Sequence, residues 1–344
     1  MTRGGRRDRG PTDPVDDATL ALLLEVAGTP KPGNVDRRRD LDDLRFEAFL
    51  GGAVGARAGL ELAAGETAAD DPPGVGAAFE RAVEGMAARA GTNTQFGCLL
   101  LLVPLIRAAA DPDRGLSPDG VDAVCRGTTV DDAVAFYRAF EAVDVAVDDP
   151  PPGADDLDVR RGSDAEPALR ERGATLRDVL ALSAEPIESA ESAGSVEPDR
   201  VPDRNAAEWT EGFPRTFRAA EWILTDEGPL ADRAARAFLG LLAAESDTLV
   251  ASTRGAETAR AASARARALL ESGERVLEPD EGHPDGPVGD VAAVEAAAVH
   301  GADLDAAESL AAAFVAEGTN PGTTADLTCA ALFIALRRGA EVAP

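Results

Sequence analysis

One run of residues narrows the folds open to this chain more than any other: Cys98-Leu99-Leu100-Leu101-Leu102-Val103-Pro104-Leu105-Ile106. It is apolar almost all round, so no face of it is suited to water. The run predicts a central, buried helix over about 94–108, kinked at Pro104. Its surroundings point the same way. Aromatic residues make up only 4% of the chain and alanine is abundant, and alanine is the strongest helix former. No alternation of apolar and polar residues marks strands, and no regular period marks a solenoid. The expectation is an all-α, single multi-helix domain built around that central helix.

Periodicity places a first helix at about Asp17 to Ala27 and a second from Leu44 to Ala63, with Phe46, Phe49, Leu50, Val54 and Leu60 inward. A third passes through Phe79, Val83 and Met86. Others are expected at 129–144, 175–183, 204–225, 230–248, 255–271, 288–300, 303–316 and 327–336. Residues 1–14 read as a disordered tail and 15–340 as one helical catalytic domain. Its expected loop insertions, at about 148–173, 184–202 and 273–287, are rich in Pro, Gly, Ser and acids, and little chemistry is expected of them.

The 62 acidic residues against 34 basic ones set a formal net charge of −28. The acids are spread along the whole chain, which indicates adaptation to a salty cytoplasm rather than an acidic tail for a basic partner. No long basic patch exists to hold nucleic acid, and no stretch approaches membrane-spanning length. The paired Arg6-Arg7 raises the question of an export signal, but the following segment carries Asp13, Asp16 and Asp17, and Glu25 breaks the apolar run that follows. A cytoplasmic protein is expected; a homodimer is left open. Cys98 and Cys329 sit in apolar runs as small core residues, and neither His283 nor His300 adjoins a motif.

Four polar stretches stand out. The first, Thr29-Pro30-Lys31-Pro32-Gly33-Asn34-Val35-Asp36, contains the only lysine of the chain. Two prolines hold it on a rigid loop, and Gly33 permits a close approach or a positive φ. An exposed ammonium there suits phosphate oxygens, and its removal is expected to cost little stability. The second, Gly91-Thr92-Asn93-Thr94-Gln95-Phe96-Gly97, opens the central helix, where free N–H groups favour an anion. The third is Thr319-Asn320-Pro321-Gly322-Thr323-Thr324-Ala325-Asp326, in which Thr323 and Asp326 have the spacing of a capping pair. The fourth runs through Glu245-Ser246-Asp247-Thr248 to Ser252-Thr253-Arg254-Gly255.

Taken in order, these four stretches resemble the signature regions of the triphosphoribosyl-dephospho-CoA synthase family, over about residues 18–338. Bacterial members carry a histidine-containing segment where this chain has Arg39-Asp40-Leu41-Asp42-Asp43, and a His-Lys pair where it has Gln95-Phe96. The chain is closer to archaeal, halophile-like relatives. The resemblance implies an all-α enzyme that moves the triphosphoribosyl unit of ATP onto the ribose 2′-hydroxyl of 3′-dephospho-CoA and releases adenine. The alternatives are a related enzyme with another acceptor, a nucleotide hydrolase, or a non-catalytic nucleotide-binding protein.

That chemistry develops positive charge at the sugar carbon and retains the triphosphate. It implies ATP as substrate and Mg²⁺ on carboxylates. Lys31 and Arg254 are then candidates for phosphate contact, and Asn93, Thr94 and Thr324 for orienting ribose or phosphate oxygens. Asp36 and Asp326 are the candidate catalytic acids, and with Asp247 the candidate metal ligands; Asp43 and Glu47 stand behind them.

A chain of this charge repels itself, and salt screens the repulsion. Its melting temperature should rise from dilute buffer to molar salt; the same melting temperature in both would contradict the high-salt reading.

Overall fold

The computed structural model describes residues 12–65, 73–184, 201–272 and 294–342. Of the sequence expectations, the tail through residue 11, most of the 184–202 and 273–287 insertions, and His283 lie outside these residues. Among them are seventeen α-helices, two short 3₁₀ segments and no strand. The all-α expectation is met.

Two apolar helices form the centre: α5 (Phe96–Ala110) and α17 (Gly322–Arg337). In both, nearly every side chain is buried, as a helix apolar all round requires. Pro104 lies inside α5. Around this pair, α1 (Pro14–Ala27), α11 (Pro214–Thr225) and α12 (Leu230–Ala244) pack on α17, while α4 (Val75–Ala90) and α6 (Pro118–Arg126) pack on α5. An outer layer adds α7 (Val130–Ala139) against α4, and α9 (Leu176–Ala184) against α10 (Arg204–Glu211). In the same layer, α14 (Ala256–Ser272) packs on α12 and on α13 (Thr248–Arg254). Two more, α15 (Ala296–His300) and α16 (Leu304–Glu317), lie against α12 and α14.

Several boundaries shift for local reasons. The first helix begins at Pro14 because Asp13 accepts a hydrogen bond from the Val15 N–H and proline suits the first helical position. The expected 44–63 helix is two, α2 (Phe46–Gly55) and α3 (Arg57–Ala63), and Val54 is 49% exposed rather than inward. Small residues make the contact instead. A Cβ on Gly85 would lie 2.1 Å from the Gly55 carbonyl oxygen, and one on Gly59 would lie 2.2 Å from the Ala82 nitrogen. The expected 204–225 helix divides into α10 and α11 at Gly212 and Phe213, both at positive φ. The 148–173 insertion is not mere loop: it holds two 3₁₀ turns, Asp155–Leu157 and Val159–Ala165, and α8 (Glu166–Arg172).

Gly85→Val should destabilise by about 1–3 kcal/mol, because the α2–α4 backbones must part to admit the side chain. A thermal melt in molar salt measures it, and a cost near zero would show that the two helices are not so close.

Candidate active site

A cleft of about 310 Å³ opens where the N-terminal ends of α5, α10, α13 and α17 meet the end of α1. Glu25, Asn34, Asn93, Gly97, Cys98, Asn205, Ser252, Asn320 and Asp326 are among its lining. One wall is apolar. Phe96, Phe136 and Phe140 interlock edge to face there, with the Phe96 and Phe140 centroids 4.9 Å apart.

Asp326 is one of the carboxyls that line the cleft. Its Oδ1 accepts from Cys98 Sγ at 3.2 Å and its Oδ2 from Asn205 Nδ2 at 2.9 Å. Burial pushes its pKa up to about 7. The negative charges of Glu25 and Asp247 add to the rise, and the bonds from Asn205 and Cys98 oppose it. The arrangement requires a glycine on α5: a Cβ at Gly97 would fall 2.0 Å from Asp326 Oδ2 and 2.6 Å from Asn205 Nδ2. Asp326 does not pair with Thr323 as a cap. α17 begins at Pro321 without a side-chain cap, and Thr323 Oγ1 accepts from the Leu249 N–H instead.

Lys31 corrects the sequence reading. It is 1% exposed, not a solvated ammonium, and its Nζ pairs with Glu25 and donates to Asn34 Oδ1 at 3.3 Å. Burial raises the Glu25 pKa, and the charge and hydrogen bond of Lys31 oppose that rise. Asn34 reaches on to Asn320 Oδ1 at 3.0 Å, so the loop of the lysine is tied to the entry of α17. Gly33 serves the same join with a φ of 73°; a Cβ there would lie 1.8 Å from the Thr319 carbonyl oxygen.

Asp36 and Asp247 hold the frame. Asp36 is fully buried and accepts from the Thr29 hydroxyl, the Lys31 and Arg38 N–H groups and the Arg39 guanidinium. Asp247 caps α13 through the Val250 N–H and accepts both the N–H and the hydroxyl of Thr324, each at 2.7 Å. Neither lines the cleft. As ligands for Mg²⁺ these two do not fit: protein donors already occupy both oxygens of each. Among the described residues no three His, Cys, Asp or Glu side chains gather into a metal-binding group.

Of the other expected site residues, Asn93 and Thr94 line the cleft, while Thr324 turns to Asp247 beneath it. Arg254 is exposed beside the loop of Gly318, where a Cβ would stand 3.4 Å from its Nη1. Asp43 and Glu47 are exposed and outside the lining. The sequence reading missed Glu25, although a single acid inside the apolar run Ala18–Ala27 was a signal. It also missed Asn205, which had none, and the wall of residues 145–151 and 157–159, dismissed as an acidic, proline-rich insertion.

The lining holds six acids, Glu25, Asp148, Asp149, Asp158, Asp203 and Asp326, and no Lys or Arg among the described residues. Residues at the N-terminal ends of four helices border this acidic space. The sequence matches a known family, CitG, ATP:dephospho-CoA triphosphoribosyl transferase, over residues 11–193 and 199–343. The chain belongs to the CitG family. It is therefore a transferase whose substrates are ATP and dephospho-CoA. A crystal structure from Archaeoglobus fulgidus, of a protein provisionally named triphosphoribosyl-dephospho-coA synthase, shares the fold. Its TM-score is 0.56 at 21% identity, and the match covers 84% of this chain and 99% of that one. The comparison with curated proteins found no match. No helix among the described residues is long and apolar enough to cross a membrane.

Lys31→Met should cost about 3–5 kcal/mol, because it strands the Glu25 carboxyl in the interior. Glu25→Gln combined with Lys31→Met should recover much of that loss. Denaturation of the three variants in molar salt tests both, and a single-variant cost under about 0.5 kcal/mol would restore the exposed-lysine picture.

Proposed function

We propose that Asp326 is the base of the transfer, and that the cleft holds the acceptor hydroxyl beside it. One observation carries this reading: the Asp326 carboxyl lines the cleft, is raised to about 7 and is oriented by two donors. A base poised near working pH takes a proton readily and returns it readily. The acceptor oxygen bonds to the sugar carbon as the bond from that carbon to adenine breaks. The acceptor's proton passes to Asp326, and the net proton leaves with adenine; the triphosphate stays intact.

Glu25 faces the same space, and its charge is suited to the positive character of the sugar in the transition state. Lys31 acts in this reading through Glu25, by holding it. The first turn of α5 offers N–H groups to phosphate oxygens beyond the Phe96 N–H, which Asn93 Oδ1 accepts. The Gly322 and Thr324 N–H groups of α17 are instead taken by Asn320 and Asp247. Arg254 stands outside as a cation for the far end of the chain of phosphates. Mg²⁺ enters the reading only as the ion that ATP brings with it, and no step runs through it. A cytoplasmic, high-salt setting fits the net charge of −28.

Below about pH 7 Asp326 holds a proton and cannot take another, so the rate should rise about tenfold per pH unit up to that point and then level. Stability should run the other way. The unfolded carboxyl ionises near about 4 and the folded one near about 7. Between those values the native state keeps the extra proton, so Asp326 makes stability fall as pH rises, with no further loss above about 7. Asp326→Asn should lower adenine release by about 10²- to 10⁴-fold and remove both trends. ADP or AMP in place of adenine as the product from ATP would overturn the reading.

A further inference from the structure

Asn205 carries a polar atom that the fold leaves unused. It is the second residue of α10, held there by Asp203 Oδ1, which accepts from the Asn205 N–H at 3.0 Å and the Ala206 N–H at 3.2 Å. The side chain is only 9% exposed and belongs to the cleft lining. Its Nδ2 donates to Asp326 Oδ2 at 2.9 Å. That bond sets the orientation of the amide, since a carboxylate oxygen needs a donor opposite it. Oδ1, at the other end of the amide, is buried and has no hydrogen-bond partner. Buried acceptors in folded proteins are nearly always satisfied, so one without a protein partner, on a residue that lines a substrate cleft, calls for an account, and a donor from the ligand supplies one.

The surroundings restrict that donor. Asp326 and Glu25 both line the cleft, and no Lys or Arg lines it among the described residues, so an anionic group would meet like charge. A neutral hydroxyl would not. The base and the free acceptor are also neighbours, bridged by the 2.9 Å bond within the pair. Adjacent acceptors suit adjacent hydroxyls on one sugar.

We propose that Asn205 Oδ1 accepts a hydrogen bond from the 3′-hydroxyl of the dephospho-CoA acceptor, next to the 2′-hydroxyl that Asp326 deprotonates, and that Asn205 thereby selects dephospho-CoA over coenzyme A. The inference rests on the reading of Asp326 as the acceptor's base. Coenzyme A carries a phosphate at the 3′ position. That group would replace the donor with charged oxygens and bring them against Asp326 and Glu25. A site built to bond a hydroxyl discriminates strongly, because the analogue leaves a buried group unpaired.

The test is calorimetric binding of dephospho-CoA, its 3′-deoxy analogue and coenzyme A to the wild-type protein and to Asn205→Ala, in molar salt. Wild type should bind the 3′-deoxy analogue about 10- to 100-fold more weakly than dephospho-CoA, and coenzyme A more weakly still. In Asn205→Ala dephospho-CoA and its 3′-deoxy analogue should bind within about threefold of each other. Equal binding of these two by wild type would overturn the proposal, and so would undiminished discrimination in Asn205→Ala. The wild-type comparison holds whether or not the variant folds. 3′-Deoxy-ATP is the second arm: a penalty there, with none for the deoxy acceptor, would assign the hydroxyl to ATP and overturn the assignment to the acceptor. Binding is read without turnover. Hydroxyl discrimination in a protein that releases no adenine would therefore defeat the transfer reading and leave the role of Asn205 standing.

Discussion

The ion pair of Lys31 and Glu25 lies at the join on which the rest of the molecule depends. Glu25 is part of α1, Lys31 belongs to the loop that follows, and Asn34 of that loop reaches Asn320 at the entry to α17. Neither charge could remain in the interior alone, because the cost of taking an ion from water falls only when a partner and further hydrogen bonds replace the solvent. The pair therefore demands a specific arrangement of chain around it, and the two prolines and Asp36 supply it. With that loop in place, the start of α17 is in place, and Asp326 follows directly after its first turn.

The carboxyl at the cleft is thus supported by two others that do not line it. Asp36 ties the lysine loop, and Asp247 ties α13 to α17 through Thr324. Each is surrounded by donors. Asp326 has two donors and an open side, and burial beside Glu25 and Asp247 acts on it more strongly than those donors do. Residues of one type, drawn from motifs of similar appearance, are placed by their surroundings either in the buried frame or on the cleft lining.

An acid-lined cleft is an unexpected place for a polyphosphate. Four helices that start at its walls offset part of the charge without a cationic side chain. In a protein of net charge −28, cations from solution also gather at any acidic surface. The apolar wall built by Phe96, Phe136 and Phe140 gives the cleft a second character, suited to the flat or hydrocarbon parts of a nucleotide substrate.

The fold class was legible in the chain because it follows from local rules. The Cys98–Ile106 run cannot face water, alanine favours helices, and proline and glycine punctuate them, whatever the tertiary contacts are. The motif positions were legible too: Asp326, Asn93, Thr94 and the Lys31 loop all lie at or directly behind the cleft. Which of them meet substrate was not. Lys31 and Asp36 look exposed in a polar loop, and only the docking of that loop against Thr319 and Glu25 buries them. Asn205 and the 145–159 wall carry no sequence signal, since their roles arise from neighbours more than a hundred residues away. Helix formation depends on a residue and those within four of it, whereas burial, ion pairing and a raised pKa depend on whatever the fold brings alongside. Tertiary structure alone decided those.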